Sequence, residues 1–164
     1  MLPKYPLEQL TEIKQKRLQE AEKVLQEKKA ELAKAEEQLL SVERVRDEVL
    51  AHRKDKLQQL RDALDMGTNT TKIQQMKSYL KVVEEDLQSK EEKVTDQKKK
   101  VNHAKTVVAT AREDYIKKHR GVEKLDIHRK EWDKEVRLAE ELRETIEGDE
   151  LGAMLHIRKK RRKL

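Results

Sequence analysis

Cysteine and phenylalanine are absent from the 164-residue chain, and aromatic residues make up only 2% of it. Without cysteine there is neither a disulfide nor a thiolate metal site, which permits a reducing compartment without requiring one. No stretch approaches the roughly 20 consecutive apolar residues that span a bilayer. The opening Met1-Leu2-Pro3-Lys4-Tyr5-Pro6 lacks the apolar run of a secretory signal. A cytoplasmic protein is therefore the expectation. With four glycines and two prolines, little interrupts a helix. Hydrophobic residues reach 35% and charged residues 44%, where a globular domain is close to half apolar. That balance also fits disorder, unless the apolar residues keep a period.

They do keep one. Steps of seven from Ile73 give Leu80, Leu87, Val94, Val101, Val108, Tyr115 and Val122, with Val136 two steps further. Three residues on from each run Met76, Val83, Ala104, Ala111, Leu125, Trp132, Ala139 and Ile146, with a few polar slots such as Lys90, Gln97 and Lys118. A repeat of seven held over residues 73–146 keeps one narrow seam facing a partner helix, which is the geometry of a left-handed coiled coil. An upstream seam runs through Leu18, Ala21, Leu25, Lys28, Leu32, Ala35, Leu39, Val42, Arg46 and Val49. It continues as Arg53, Leu57, Leu60 and Leu64, and the two successive steps of four predict a stutter near residues 50–57.

Asp65-Met66-Gly67-Thr68-Asn69-Thr70-Thr71 is the strong break in the body of the chain. Gly67 suits the left-handed conformation that ends a helix, and Thr71 with Gln74 reads as a capping box for the next one. The prediction is one elongated all-α domain over 1–164, a long two-helix antiparallel coiled-coil hairpin. Helix one covers 6–65, the hairpin loop 66–71 and helix two 72–147. A basic C-terminal tail, 148–164, follows where Gly148 and Gly152 break the helix. At ~1.5 Å per residue the arms measure about 90 and 115 Å. Folding about Gly67–Thr68 sets Leu7 opposite roughly residue 129. Beyond that point Trp132, Val136, Ala139, Leu142 and Ile146 keep the pattern without a partner from helix one, unless the chain before helix one extends the cover.

Such a chain offers no enclosed catalytic site. His52, His103, His119, His128 and His156 are scattered, whereas a metal needs ligands converging within ~2 Å of the ion. Carboxylates are plentiful but lie beside bases on exposed faces, with nothing to drive two pKa values apart. There is no glycine-rich phosphate loop and no nucleophile motif. No enzyme, cofactor, metal or small-molecule substrate is expected.

Contacts with partners remain. Leu50, Tyr79 and Val82 lie off the seam within a few turns of the hairpin break, as a candidate patch, although scattered surface apolar residues are ordinary. Trp132 reads either as a large seam knob or as an interface anchor. The net charge of +6 is local, because Arg158, Lys159, Lys160, Arg161, Arg162 and Lys163 supply it and residues 1–157 balance. Phosphate, anionic lipid or an acidic protein surface would all attract that tail. Nucleic acid is the less favoured, since no stacking platform or basic reading helix accompanies the tail.

Several of these segments resemble a known family. They are the opening Tyr5-Pro6-Leu7-Glu8-Gln9-Leu10, the break at Asp65–Thr71, the following Met76-Lys77-Ser78-Tyr79-Leu80-Lys81-Val82-Val83, and His128-Arg129-Lys130-Glu131-Trp132. Together they resemble the YscO/FliJ-like stalk proteins of type III secretion, most of all the chlamydial branch, over nearly the whole chain. The resemblance implies a two-helix antiparallel coiled coil like the central stalk of rotary ATPases. It also implies a non-enzymatic cytoplasmic protein, peripheral to the inner-membrane secretion apparatus. Its implied partners are a hexameric export ATPase, the membrane export gate and secretion chaperones. Leu7, Leu10, Trp132 and the charged C-terminal segment would then face the ATPase, and Leu50, Tyr79 and Val82 the gate. The hexabasic tail matches no part of the family pattern. The competing readings are a coiled-coil scaffold unconnected with secretion, and a binder of nucleic acid or anionic surfaces through the tail.

Overall fold

The computed structural model describes residues 3–161, with side chains to Lys159. These residues form two α-helices and no strand: α1 (Glu8–Asp65) and α2 (Thr70–Arg161). The two helices pack against each other, as the seven-residue repeat predicts. The packing divides into two compact units, one of Met1–Ala21 with Asp114–Leu164 and one of Glu22–Glu113.

In the Glu22–Glu113 unit the buried seam is Leu25, Leu60, Val83, Leu87, Val94 and Val101. Cross-helix ion pairs give the direction. Arg53 meets Glu84 at 2.8 Å, Glu43 meets Lys98 at 3.7 Å and Glu36 meets Lys105 at 4.0 Å, so α1 numbers fall as α2 numbers rise. The pairing is antiparallel. Polar seam residues survive by reaching outward or by finding a partner. Lys28 and Lys90 lay their stems along the seam and send the ammonium to Glu31 (2.9 Å) and Asp86 (3.4 Å). Gln97, which is buried, donates its amide to the Ala35 carbonyl at 3.1 Å and to Gln38 Oε1 at 3.3 Å, so its burial leaves no orphaned donor.

The stutter near 50–57 is corrected. Burial follows an unbroken alternation of threes and fours through Val49, Arg53, Lys56, Leu60 and Ala63. Leu57 is half-buried beside Lys56, while Leu64 is 49% exposed. Leucine spacing misled here because a lysine and an alanine occupy seam slots. The lysine stem is apolar enough to do so.

The turn is built from both helix ends. Gly67 has φ of +70°, the region where only glycine avoids a Cβ clash. Gly67 N–H donates to the Leu64 carbonyl (3.2 Å) and Thr68 N–H to the Ala63 carbonyl (3.1 Å). This 5→2 and 6→1 pair is a Schellman motif. The cap of α2 is Asn69 and not Thr71. Asn69 Oδ1 accepts the Thr71 N–H at 3.2 Å, and its carbonyl accepts the N–H groups of Lys72 and Ile73. Asparagine is as good a cap as any residue, so α2 starts at Thr70 and the loop is shorter than the expected 66–71.

In the unit that holds both chain ends, Thr11, Ala21 and Val122 are buried. Helix α1 starts at Glu8 and not at Pro6. Pro6 and Leu7 form the turn that leads in, and the Tyr5 carbonyl accepts the Glu8 N–H at 3.3 Å. The larger correction concerns α2, which continues through Gly148 and Gly152 to Arg161 instead of ending at 147. Neither glycine has positive φ. A mid-helix glycine costs only about 1 kcal/mol, and the neighbouring Glu, Leu, Ala and Met residues are strong helix formers. Arg158 to Arg161 of the basic run are therefore helical, while Arg162 and Lys163 lie outside the described residues.

Candidate partner-binding surfaces

Tyr5 organises the first surface. It is 5% exposed although it precedes the helix. Its hydroxyl lies 2.7 Å from His128 Nδ1, and its ring meets Trp132 edge-on at 5.4 Å between centroids. The Arg129 guanidinium sits 5.7 Å from the Tyr5 ring centre and 3.5 Å from Glu8 Oε1. A cation over an aromatic face and an edge-on aromatic pair are each favourable by about 0.5–1 kcal/mol. Pro3 and Lys4 line a shallow groove with Asp133, Val136 and Arg137. The chain before α1 thus extends the cover of α2 from residue 128 to about 137. Leu7 is half-buried and Leu10 is 40% exposed. Trp132 is half-buried against Tyr5, so its ring is partly a packing element.

Leu50, Tyr79 and Val82 are all exposed. Tyr79 hydroxyl lies 3.0 Å from His52 Nε2, with the two rings edge-on at 6.0 Å. Val82 follows Tyr79 by three residues, so the two share one flank of α2. Leu50 precedes His52 by two residues, about 200° around α1, and falls on the flank of the Arg53–Glu84 pair. The three residues therefore make two surfaces, with Tyr79 and Val82 adjacent and Leu50 apart from them. A shallow groove beside Tyr79 is lined by Lys56, Gln59, Lys72, Gln75 and Met76.

A third surface belongs to α2 alone. From Leu138 to Lys159 every side chain but Glu140 is exposed, including Leu142, Ile146, Leu151, Met154, Leu155 and Ile157. Arg158 and Lys159 extend this helix as exposed bases.

Among the described residues no three His, Asp or Glu side chains group as metal ligands. No helix there is long and apolar enough to cross a membrane. The Tyr5–His128–Arg129–Glu8 cluster was not singled out from the sequence. The signal available was an aromatic residue directly before the proline of the turn that leads into α1. Its partner lies 123 positions away, and only the pairing register reveals it.

The chain matches the model of the YscO-like protein family over residues 2–162. Among solved structures it is similar to that of CT670 from Chlamydia trachomatis, described as a YscO homologue. The TM-score is 0.88 at 39% sequence identity, over 98% of this chain and 99% of that one. No curated protein matches significantly. The segments carrying Tyr5 and Trp132 thus meet in space, within a helical pair that a family model spans almost end to end. The chain belongs to the YscO-like family.

Proposed function

We propose that this protein is a non-enzymatic stalk or adaptor of a type III secretion export ATPase, linking the ATPase ring to the export gate and binding secretion chaperones. The observation that carries the reading is membership of the YscO-like family over residues 2–162. The helical pairing supports it physically. Wound helices resist bending, and a surface of short-range ion pairs such as Lys118–Asp114 and Lys99–Asp96 is well solvated. Such a surface suits loose contact with a larger assembly rather than a fixed apolar interface.

In this reading the unit bearing both chain ends meets the ATPase, through Leu7, Leu10, Trp132 and the charged end of α2. Tyr5 sets the presentation of Trp132 there. The unit bearing the turn meets the gate, with Tyr79 and Val82 as one contact and Leu50 as a separate one. The location is cytoplasmic and peripheral to the inner membrane.

Titrating the full chain against its cognate export ATPase tests the proposal. The expected result is a saturable rise in hydrolysis or hexamer formation. An unchanged rate and an unchanged oligomer over the full titration overturn it. Replacing Tyr79→Ser and Val82→Ser together is expected to reduce secretion in cells while leaving helicity intact. Full secretion removes that surface from the reading.

A further inference from the structure

The leucines that imitate the seam near the turn form a stripe of their own. Leu50, Leu57 and Leu64 recur at steps of seven, so they line one edge of α1 within about 40° and over ~21 Å. Leu50 is 45% and Leu64 49% exposed, and Leu57 is half-buried. The same edge position in the four heptads upstream is Glu22, Lys29, Glu36 and Glu43. There Glu36 and Glu43 close the flank by pairing with Lys105 and Lys98 of α2. Leucine in that position can make no such pair. A two-helix seam uses two apolar positions per heptad, and a third beside them belongs to a helix that faces more than one neighbour. Val49, Leu50, Leu57, Leu60, Ala63 and Leu64 make that wider face, and α2 covers only part of it.

The charges around the stripe have one predominant sign. Residues 51–83 hold seven bases and three carboxylates. Lys54 and Arg61 follow Leu50 and Leu57 by four residues, which sets them along the outer edge of the stripe. Lys77 and Lys81 share the flank of Glu84 on α2, and all four bases are exposed. Asp55 and Asp62 lie on the other flank with His52, and Asp65 is the last residue of α1. The offset of the Glu36–Lys105 and Glu43–Lys98 pairs sets Glu91, Glu84 and Lys77 opposite Leu50, Leu57 and Leu64. Glu84 is turned to Arg53 at 2.8 Å, so the face is most basic from Leu57 to Leu64.

We infer that this face docks a third helix, supplied by a partner protein, that is amphipathic and acidic along its edges. The period of seven selects a helix, because only a helix wound at the same pitch meets all three leucines. The bases select carboxylates, which steer the encounter and fix the orientation. A second copy of this face is excluded by the same charges. Reversal about Leu57 sets Arg61 beside Arg53 and Lys54, where like charges repel. A lipid surface is disfavoured by the shape of the stripe. It is one leucine wide, set between two helices and without an aromatic residue, whereas an interfacial helix presents a broad apolar face. The inference rests on residues 49–91 and their charges, and it does not require the secretion reading.

A fluorescent three-heptad peptide with leucine at its a and d positions and glutamate at e and g tests it on the full chain. Mutual repulsion of its glutamates keeps such a peptide from pairing with itself. Saturable binding is expected, weakening as salt rises. The same peptide with lysine in place of glutamate is expected to bind at least about tenfold more weakly. Leu50→Gln with Leu64→Gln is expected to weaken binding of the acidic peptide to a similar degree. Both positions are exposed, and circular dichroism checks that helicity is kept. A variant carrying Lys54→Glu, Arg61→Glu, Lys77→Glu and Lys81→Glu is expected to reverse the preference and bind the lysine peptide. Tyr79→Ser with Val82→Ser, on the other flank, is expected to leave binding unchanged. No saturable binding of the acidic peptide overturns the inference, as does equal binding of the two peptides. Undiminished binding to the leucine variant also overturns it, as does an equal loss with the Tyr79 and Val82 changes. Binding to vesicles of phosphatidylserine and phosphatidylcholine, with none to the acidic peptide, makes the face a lipid contact and overturns it too.

Discussion

The Tyr5 hydroxyl and His128 Nδ1 lie 2.7 Å apart across 123 positions of sequence. This contact ties the chain before α1 to the segment of α2 that carries Trp132, the one tryptophan present. Removing the hydroxyl with Tyr5→Phe is expected to cost about 0.5–1.5 kcal/mol, the net worth of one hydrogen bond. Tyr5→Ala removes the ring as well and exposes Trp132. Its emission is then expected to shift to the red, with faster amide exchange in residues 8–11. An unshifted spectrum for Tyr5→Ala means the two rings are not in contact in solution.

The turn gives a second prediction, because Asn69 and Thr71 are rival caps. Asn69→Ala is expected to destabilise by about 1 kcal/mol, and Thr71→Ala by much less. Thermal melts of the two variants distinguish them. Equal losses assign the cap wrongly.

Gly121 lies mid-helix, its φ is not positive, and a Cβ built on it meets no atom within 4 Å. Gly121→Ala is therefore expected to stabilise by about 1 kcal/mol, since alanine is the better helix former and its methyl group finds open space. A lower melting temperature shows a close approach that the present packing lacks.

Leu87 and Val101 are 7% and 4% exposed on the seam. Leu87→Asp or Val101→Asp loses about 2 kcal/mol of burial and adds the desolvation of a carboxylate. Each is expected to destabilise by about 3 kcal/mol or more, read by denaturant unfolding. Gln97→Leu in the same seam is expected to stabilise, because an apolar residue replaces a satisfied polar one. A melt that matches the unmodified chain for Leu87→Asp refutes the seam register.

Much of the fold is legible in the residues because the seam is a one-dimensional signal. Ile73 to Trp132 recur at threes and fours, and burial follows them to Val122 and Leu125. The turn is legible because Gly67 has a conformational role that few residues share. The errors arise where local preference is weak. Lys56 and Ala63 take seam slots that the leucines imitate, and Gly148 and Gly152 tolerate a helix that they do not favour. The surfaces are harder still. Leu50 sits close in sequence number to the partner of Tyr79, yet on the other flank, and only a fixed register separates them.

The sequence by itself determined the helices, their antiparallel return and the family, because apolar period, glycine placement and family motifs are properties of neighbours along the chain. The tertiary structure alone decided that Tyr5 closes over His128 and Trp132, that Tyr79 pairs with His52, and that the chain before α1 carries the cover of α2 to about residue 137. Those are relations between residues far apart in the chain. They depend on the rotation and axial offset of one helix against the other, which no local window of sequence contains.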